Sequence, residues 1–134
     1  MGWFSSKKDD DANKVEKPKA SVQWKNLTDL NQLDEILNDR TGQKQLLFKH
    51  STRCGVSTMT KRQFEKEWPE EENEDINVWY LDLLNHREIS NAIAEKTGVY
   101  HQSPQVITLV NGEVRYDASH SEVSARRIIK SFEQ

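Results

Sequence analysis

Cys54 is the only cysteine in this chain of 134 residues. It sits within Leu46-Leu47-Phe48-Lys49-His50-Ser51-Thr52-Arg53-Cys54-Gly55-Val56-Ser57. An apolar run with the character of a buried strand stops at a few polar residues, and a helical pattern begins behind the thiol. A cysteine at a helix N-terminus meets unpaired backbone N–H groups and the positive end of the helix dipole, and both favour the thiolate. Arg53 adds a cation one residue away. Ser57 stands three residues on, where a dithiol motif would carry its second cysteine. Its hydroxyl can donate to the sulfur but cannot resolve a mixed disulfide. Any exchange chemistry is therefore monothiol: Cys54 attacks a disulfide, holds the adduct, and a thiol from solution releases it. Three readings of Cys54 stay open at this point, as a small packed residue, a nucleophile, or a ligand shared with another molecule.

The second stretch with chemical content is His101-Gln102-Ser103-Pro104-Gln105, directly ahead of a strand. Pro104 reads either as a plain loop proline or as a cis-proline beside the thiol. The second reading leaves the backbone of Ser103 free to pair with an extended substrate. His50, His86 and His101 lack metal-ligand spacing, and no two carboxylates form an evident catalytic pair, so no metal is expected.

The elements that must position these residues follow from periodicity. Residues 1–20 are polar, charged and aperiodic, and read as a disordered tail; residues 21–134 read as one domain. Gly2 with Ser6 formally matches an acylation pattern, and Trp3 and Phe4 could touch a membrane or partner, but the plain terminus is the stronger reading. Val22 to Leu27 is a weak strand. Thr28 caps a helix with Leu30, Leu33, Ile36 and Leu37 on one face, ended by Gly42. Gln45 to His50 is apolar at consecutive positions, as in a central strand covered on both faces. The helix from Cys54 to Trp68 carries Val56, Thr60, Phe64 and Trp68, with Met59 beside them, as its buried stripe. Glu70 to Asp75 is a solvated acidic connection. Ile76 to Leu84 is the next strand. Asn85 and Glu88 resemble a capping box opening a helix with Ile89, Ala92 and Ile93 inward, closed by Gly98. Val106 to Val110, Asn111-Gly112, and Glu113 to Tyr116 form a hairpin with a type I′ turn. Ser119 and Glu122 cap a last helix with Ala125, Ile128, Ile129 and Phe132 inward.

The order β-α-β-α-β-α-β-β-α predicts an α/β sandwich with a mixed sheet. Nineteen basic and 22 acidic residues give a net charge of −3. The two signs are interleaved, so no nucleic-acid stripe is present. No apolar stretch approaches the roughly 18 residues of a membrane span. One cysteine forbids an intramolecular disulfide, which fits a reducing, cytoplasmic setting.

The element order, the strand leading into Thr-Arg-Cys-x-x-Ser, and Ser-Pro-Gln ahead of the hairpin together resemble a thioredoxin-fold protein. The expected architecture is thus a thioredoxin-like three-layer α/β/α sandwich. More narrowly, the FKHSTRC run and the HxSPQ segment resemble the YtxJ-like monothiol bacilliredoxins over about residues 22–132. The resemblance implies a redox protein that removes bacillithiol from S-bacillithiolated proteins, with bacillithiol as co-substrate and a monomeric state expected. On that pattern Cys54 is the nucleophile, Ser57 holds the resolving position and Pro104 is a cis-proline. Thr52, Arg53, Gly55, Val56, Ser57, Ser103, Pro104 and His120 would bind substrate. Bacillithiol carries a malate, so cations and helix N-termini should recognise it, with Arg53 first and His120 second. The family pattern Cys-Pro-Ile-Ser is replaced here by Cys54-Gly55-Val56-Ser57. That motif is similar to the Cys-Gly-Phe-Ser of monothiol glutaredoxins, whose alternative implication is a [2Fe–2S] cluster held between two subunits.

Overall fold

The computed structural model describes residues 21–133. The expected tail, with its Gly2–Ser6 pattern and Trp3-Phe4, lies outside them. The strands are β1 (Trp24–Asn26), β2 (Lys44–His50), β3 (Ile76–Asp82), β4 (Gln105–Val110) and β5 (Glu113–Ser119). The helices are α1 (Leu30–Asn38), α2 (Gly55–Glu67), α3 (Arg87–Thr97) and α4 (Ala125–Ser131). Short 3₁₀ turns cover Glu70–Glu74 and His120–Glu122. The five strands form one sheet in the order β1-β3-β2-β4-β5. β1 and β2 run parallel to β3, whereas β4 runs antiparallel to β2 and β5.

The central position of β2 follows from its composition, because Gln45 through His50 are all buried. Successive side chains point to opposite faces, so one strand feeds two cores. Leu46 and Phe48 pack with Phe64, Trp68, Val78, Val106, Ile128 and Phe132 under α2 and α4. Leu47 packs with Leu33, Ile36, Leu81, Ile89, Ile93 and Ile107 under α1 and α3. Three layers result. Aromatic rings tighten the first core, with Phe48 against Phe64 at 5.1 Å and Phe64 against Trp68 at 5.1 Å between centroids.

The element order matches expectation, and the deviations lie at the caps. Asp29, not Thr28, caps α1: its Oδ1 accepts from the Gln32 N–H at 2.9 Å while Gln32 Oε1 accepts from the Asp29 N–H at 3.2 Å. A carboxylate with a glutamine three residues on closes the box better than a hydroxyl one position earlier. That helix ends at Asn38, ahead of Gly42, and Leu30 at its start is exposed. α3 starts after His86 without a side-chain cap, because Asn85 turns back to donate to Asp82 Oδ2 at 2.8 Å. Its other end is as expected: Gly98 adopts φ 76° and donates to Ala94 O at 3.0 Å. α4 is capped by Ser124, which accepts from the Arg127 N–H at 3.3 Å; Ser119 ends β5 instead. The Asn111-Gly112 turn has φ 54° and 77°, as a type I′ turn requires.

Candidate functional site

β2 and β4 lie side by side with Lys49 opposite Gln105. The loop leaving β2 and the loop entering β4 therefore share one end of the sheet. The first carries Ser51 to Cys54, and the second carries His101 to Pro104. Cys54 is the N-cap residue of α2, extended at φ −106° and ψ 119°, with no side-chain capping bond. Its backbone N–H donates to Ser51 O at 3.2 Å, and its carbonyl accepts from Thr58 N at 3.0 Å. The side chain is half-buried. The Ser103–Pro104 bond is cis, the second of the two isomers weighed above.

The predicted site residues divide into a rim and a floor. Thr52, Arg53, Gly55 and Val56 are exposed around the thiol. Val56 is 54% and Met59 is 70% exposed, which corrects the expected buried stripe of α2. The helix axis aims the four-residue repeat inward only from Phe64 onward, and the first turn presents Ser57 to the interior instead. A Cβ added at Gly55 would meet nothing within 4 Å, so the space at the first residue of α2 is open. Pro104 is buried, and its carbonyl accepts from the His120 N–H at 3.0 Å. His120, exposed and at φ 55°, thereby joins the proline loop through its backbone, from a 3₁₀ turn and not from a helix N-terminus.

Ser57 forms the floor and has no solvent exposure. Its Oγ lies 2.8 Å from His50 Nδ1 and accepts from the Ser51 N–H at 3.1 Å. The hydroxyl is committed to these two partners, which corrects the expected bond to sulfur. His50 is buried. Burial first, and then the positive charge of Lys61, hold its imidazole below the ordinary histidine range, against the pull of Asp82 and Glu65. It is therefore neutral at neutral pH.

Lys49 points to the opposite face of the same strand. It has no solvent exposure, and its Nζ lies 2.7 Å from His101 Nδ1, with Ser90 Oγ 3.4 Å from that same ring nitrogen. Desolvation lowers the amine to about 8. Burial, Lys49 and Arg87 lower His101 in turn. Adjacent residues thus reach in opposite directions. His50 secures the nucleophile loop and Lys49 secures the proline loop. Sequence reasoning passed over both, although two basic residues inside a doubly covered strand were a legible anomaly. Three buried polar atoms have no hydrogen-bond partner among the described residues, Asp82 Oδ1, Ser103 Oγ and Gln105 Oε1. All three lie at this end of the sheet.

Among the described residues no three His, Cys, Asp or Glu side chains converge on a common point. One copy offers an iron–sulfur cluster a single thiolate of the four it needs, so the fit is incomplete within one chain. No helix among the described residues is long and apolar enough to cross a membrane.

A five-stranded mixed sheet with helices on both faces, a thiol at the α2 N-cap and a cis-proline loop beside it define a thioredoxin-fold protein. The chain belongs to the monothiol bacilliredoxin family: the family model described as "Monothiol bacilliredoxin BrxC" matches residues 25–128. A solved protein of thioredoxin fold is 27% identical with a TM-score of 0.69, the match covering 83% of this chain and 94% of the other. Mitochondrial thioredoxin 3 from Saccharomyces cerevisiae is 16% identical with a TM-score of 0.60, covering 86% and 98%. A Malassezia sympodialis thioredoxin is 15% identical with a TM-score of 0.63, covering 92% and 97%. These last two share the fold.

Proposed function

We propose that this chain is a monothiol thiol–disulfide oxidoreductase that removes bacillithiol from S-bacillithiolated proteins. The observation that carries this reading is the placement of the only thiol. Cys54 sits half-buried at the N-cap of a 13-residue helix with a serine at the resolving position. The Cys54 thiolate attacks the bacillithiol sulfur of the mixed disulfide, and the target protein leaves as its thiolate. The new Cys54–bacillithiol disulfide is then attacked by a second bacillithiol, which frees Cys54 and releases bacillithiol disulfide. The second thiol supplies the electron pair of the new disulfide bond and the target's sulfur leaves with the pair of the broken one, so the cycle balances with bacillithiol disulfide as the oxidised product.

In this reading the exposed rim of Thr52, Arg53, Gly55 and Val56 meets the adduct, and Arg53 pairs with a malate carboxylate. Ser103 and Pro104 line the other side, where the backbone of Ser103 pairs with an extended substrate. His120 lies next along that wall. The reading implies a cytoplasmic, monomeric protein. Intact-mass analysis after parallel exposure to bacillithiol disulfide and glutathione disulfide tests it. A bacillithiol adduct that forms on the wild type and is absent from Cys54→Ser is expected. Equal reduction of an S-bacillithiolated protein by wild type and Cys54→Ser would sink the proposal.

A further inference from the structure

The family's one-cysteine logic accounts for Cys54 but not for the histidine that closes β2. His50 is buried, and polar, aromatic and charged groups face it from two elements. α2 presents Ser57, Lys61 and Glu65, and β3 presents Tyr80 and Asp82. Asp82 is the register partner of His50, and one of its carboxylate oxygens is buried without a partner among the described residues. From His50 a continuous chain of hydrogen bonds runs to the nucleophile: His50 Nδ1 to Ser57 Oγ at 2.8 Å, the Ser51 N–H to Ser57 Oγ at 3.1 Å, and the Cys54 N–H to Ser51 O at 3.2 Å.

We propose that His50 is a positioning residue for the chemistry of Cys54, holding the Ser51–Cys54 loop through Ser57 and coupling the charge of the sulfur to its own. Ser57 has one hydrogen, and its oxygen already accepts from Ser51. In the neutral tautomer that carries its proton on Nε2, that hydrogen goes to His50 Nδ1, and this is the tautomer the proposal assigns. When His50 takes up a proton, Nδ1–H becomes the donor and the Ser57 hydrogen must turn away. Cys54 is the N-cap and Ser57 the third residue of the same first turn, so the released hydroxyl belongs to the turn that carries the thiol. A proton on His50 therefore adds a positive charge behind the loop that carries the thiolate and frees the Ser57 donor in the first turn of the same helix. By linkage, a thiolate on Cys54 favours the protonated imidazole to the same degree.

The inference rests on the proposed thiol function, and its test needs no disulfide. Iodoacetamide alkylation of Cys54 is followed from about pH 5 to 9 in wild type, His50→Leu and His50→Gln. Loss of the hydrogen-bond anchor in His50→Leu slows alkylation about tenfold near neutrality. Glutamine can accept from Ser57, so His50→Gln recovers to within about threefold, but it cannot take up a proton. Wild type departs from a single-titration curve on the acid side, and both variants follow one. A measurement on the unmutated chain guards against misfolded variants: the His50 ring, titrated by NMR, changes its midpoint when Cys54 is carboxamidomethylated. An identical His50 titration before and after alkylation overturns the coupling. So does a uniform slowing in the variants with the acid-side shape unchanged. A chain that passes these tests but takes up no bacillithiol refutes the proposed substrate and leaves the role of His50 standing.

Discussion

Replacing Lys49 with methionine should stabilise the protein and harm its function. The ammonium has no solvent exposure, and among the described residues its one hydrogen-bond contact is the His101 ring and no carboxylate is paired to it. Burial lowers the amine from 10.5 to about 8. At 1.36 kcal/mol per pH unit that amounts to about 3 kcal/mol against the charged form in the folded state. A folded value below the unfolded one means the unfolded chain binds more protons between pH 8 and 10.5. Stability linked to Lys49 is thus present above about 10.5 and is lost as pH falls through about 8. Methionine has a similar volume and no charge to desolvate, and it forfeits a hydrogen bond worth about 1 kcal/mol. At pH 7 Lys49→Met should therefore be about 2 kcal/mol more stable than wild type, and the advantage should vanish as pH approaches 10.5. Urea denaturation followed by tryptophan fluorescence reads this directly, since Trp24 and Trp68 pack in the core beneath α2. Taking the difference between the two proteins cancels the other groups that titrate in that range. A gap that stays constant between pH 7 and 10, or a variant less stable at pH 7, would refute the reasoning. The same variant frees His101 from its anchor, so its KM for a mixed-disulfide substrate should rise while the alkylation rate of Cys54 is kept.

Other outcomes follow from the same geometry. Ser57→Ala removes the partner of both the Ser51 N–H and His50 Nδ1, and should cost about 1–3 kcal/mol in urea denaturation together with slower alkylation of Cys54. Gly112→Ala puts a methyl group against the carbonyl of Leu37 at φ +77°, and a loss of at least about 2 kcal/mol is expected by thermal unfolding. His50 and His101 are both held below the ordinary histidine value, so the stability they carry is present above about pH 6.5 and falls away in acid. His101→Gln should make urea midpoints between about pH 6.5 and 5 less steep in pH than those of wild type.

The order of elements was readable from one chain because each element is locally consistent. Consecutive apolar residues mark β2, Asn111-Gly112 marks the hairpin, and Gly98 closes α3. Cap positions were less legible, since Thr28, Asn85 and Ser119 each offer a side chain that competes with a neighbour. Asp29 and Ser124 won two of those contests, and Asn85 lost its cap to a bond with Asp82. Periodicity also misread α2: Val56 and Met59 fit an apolar stripe, yet the first turn buries Ser57 and the apolar stripe enters the core only from Phe64.

Cysteine count and the serine at position 57 determined, without coordinates, that exchange chemistry here must use one thiol of the chain. A second thiol must come from outside, whatever the fold. Which partner Ser57 serves was decided by tertiary structure alone. β2 brings His50 beneath the first turn of α2, and that contact turns the hydroxyl away from the sulfur and into the support of its loop. The pairing of Lys49 with His101 is likewise a product of the β2–β4 register, which joins residues about fifty positions apart. Local sequence can name the nucleophile, but the low-dielectric environment that tunes its neighbours exists only once the sheet has closed over them.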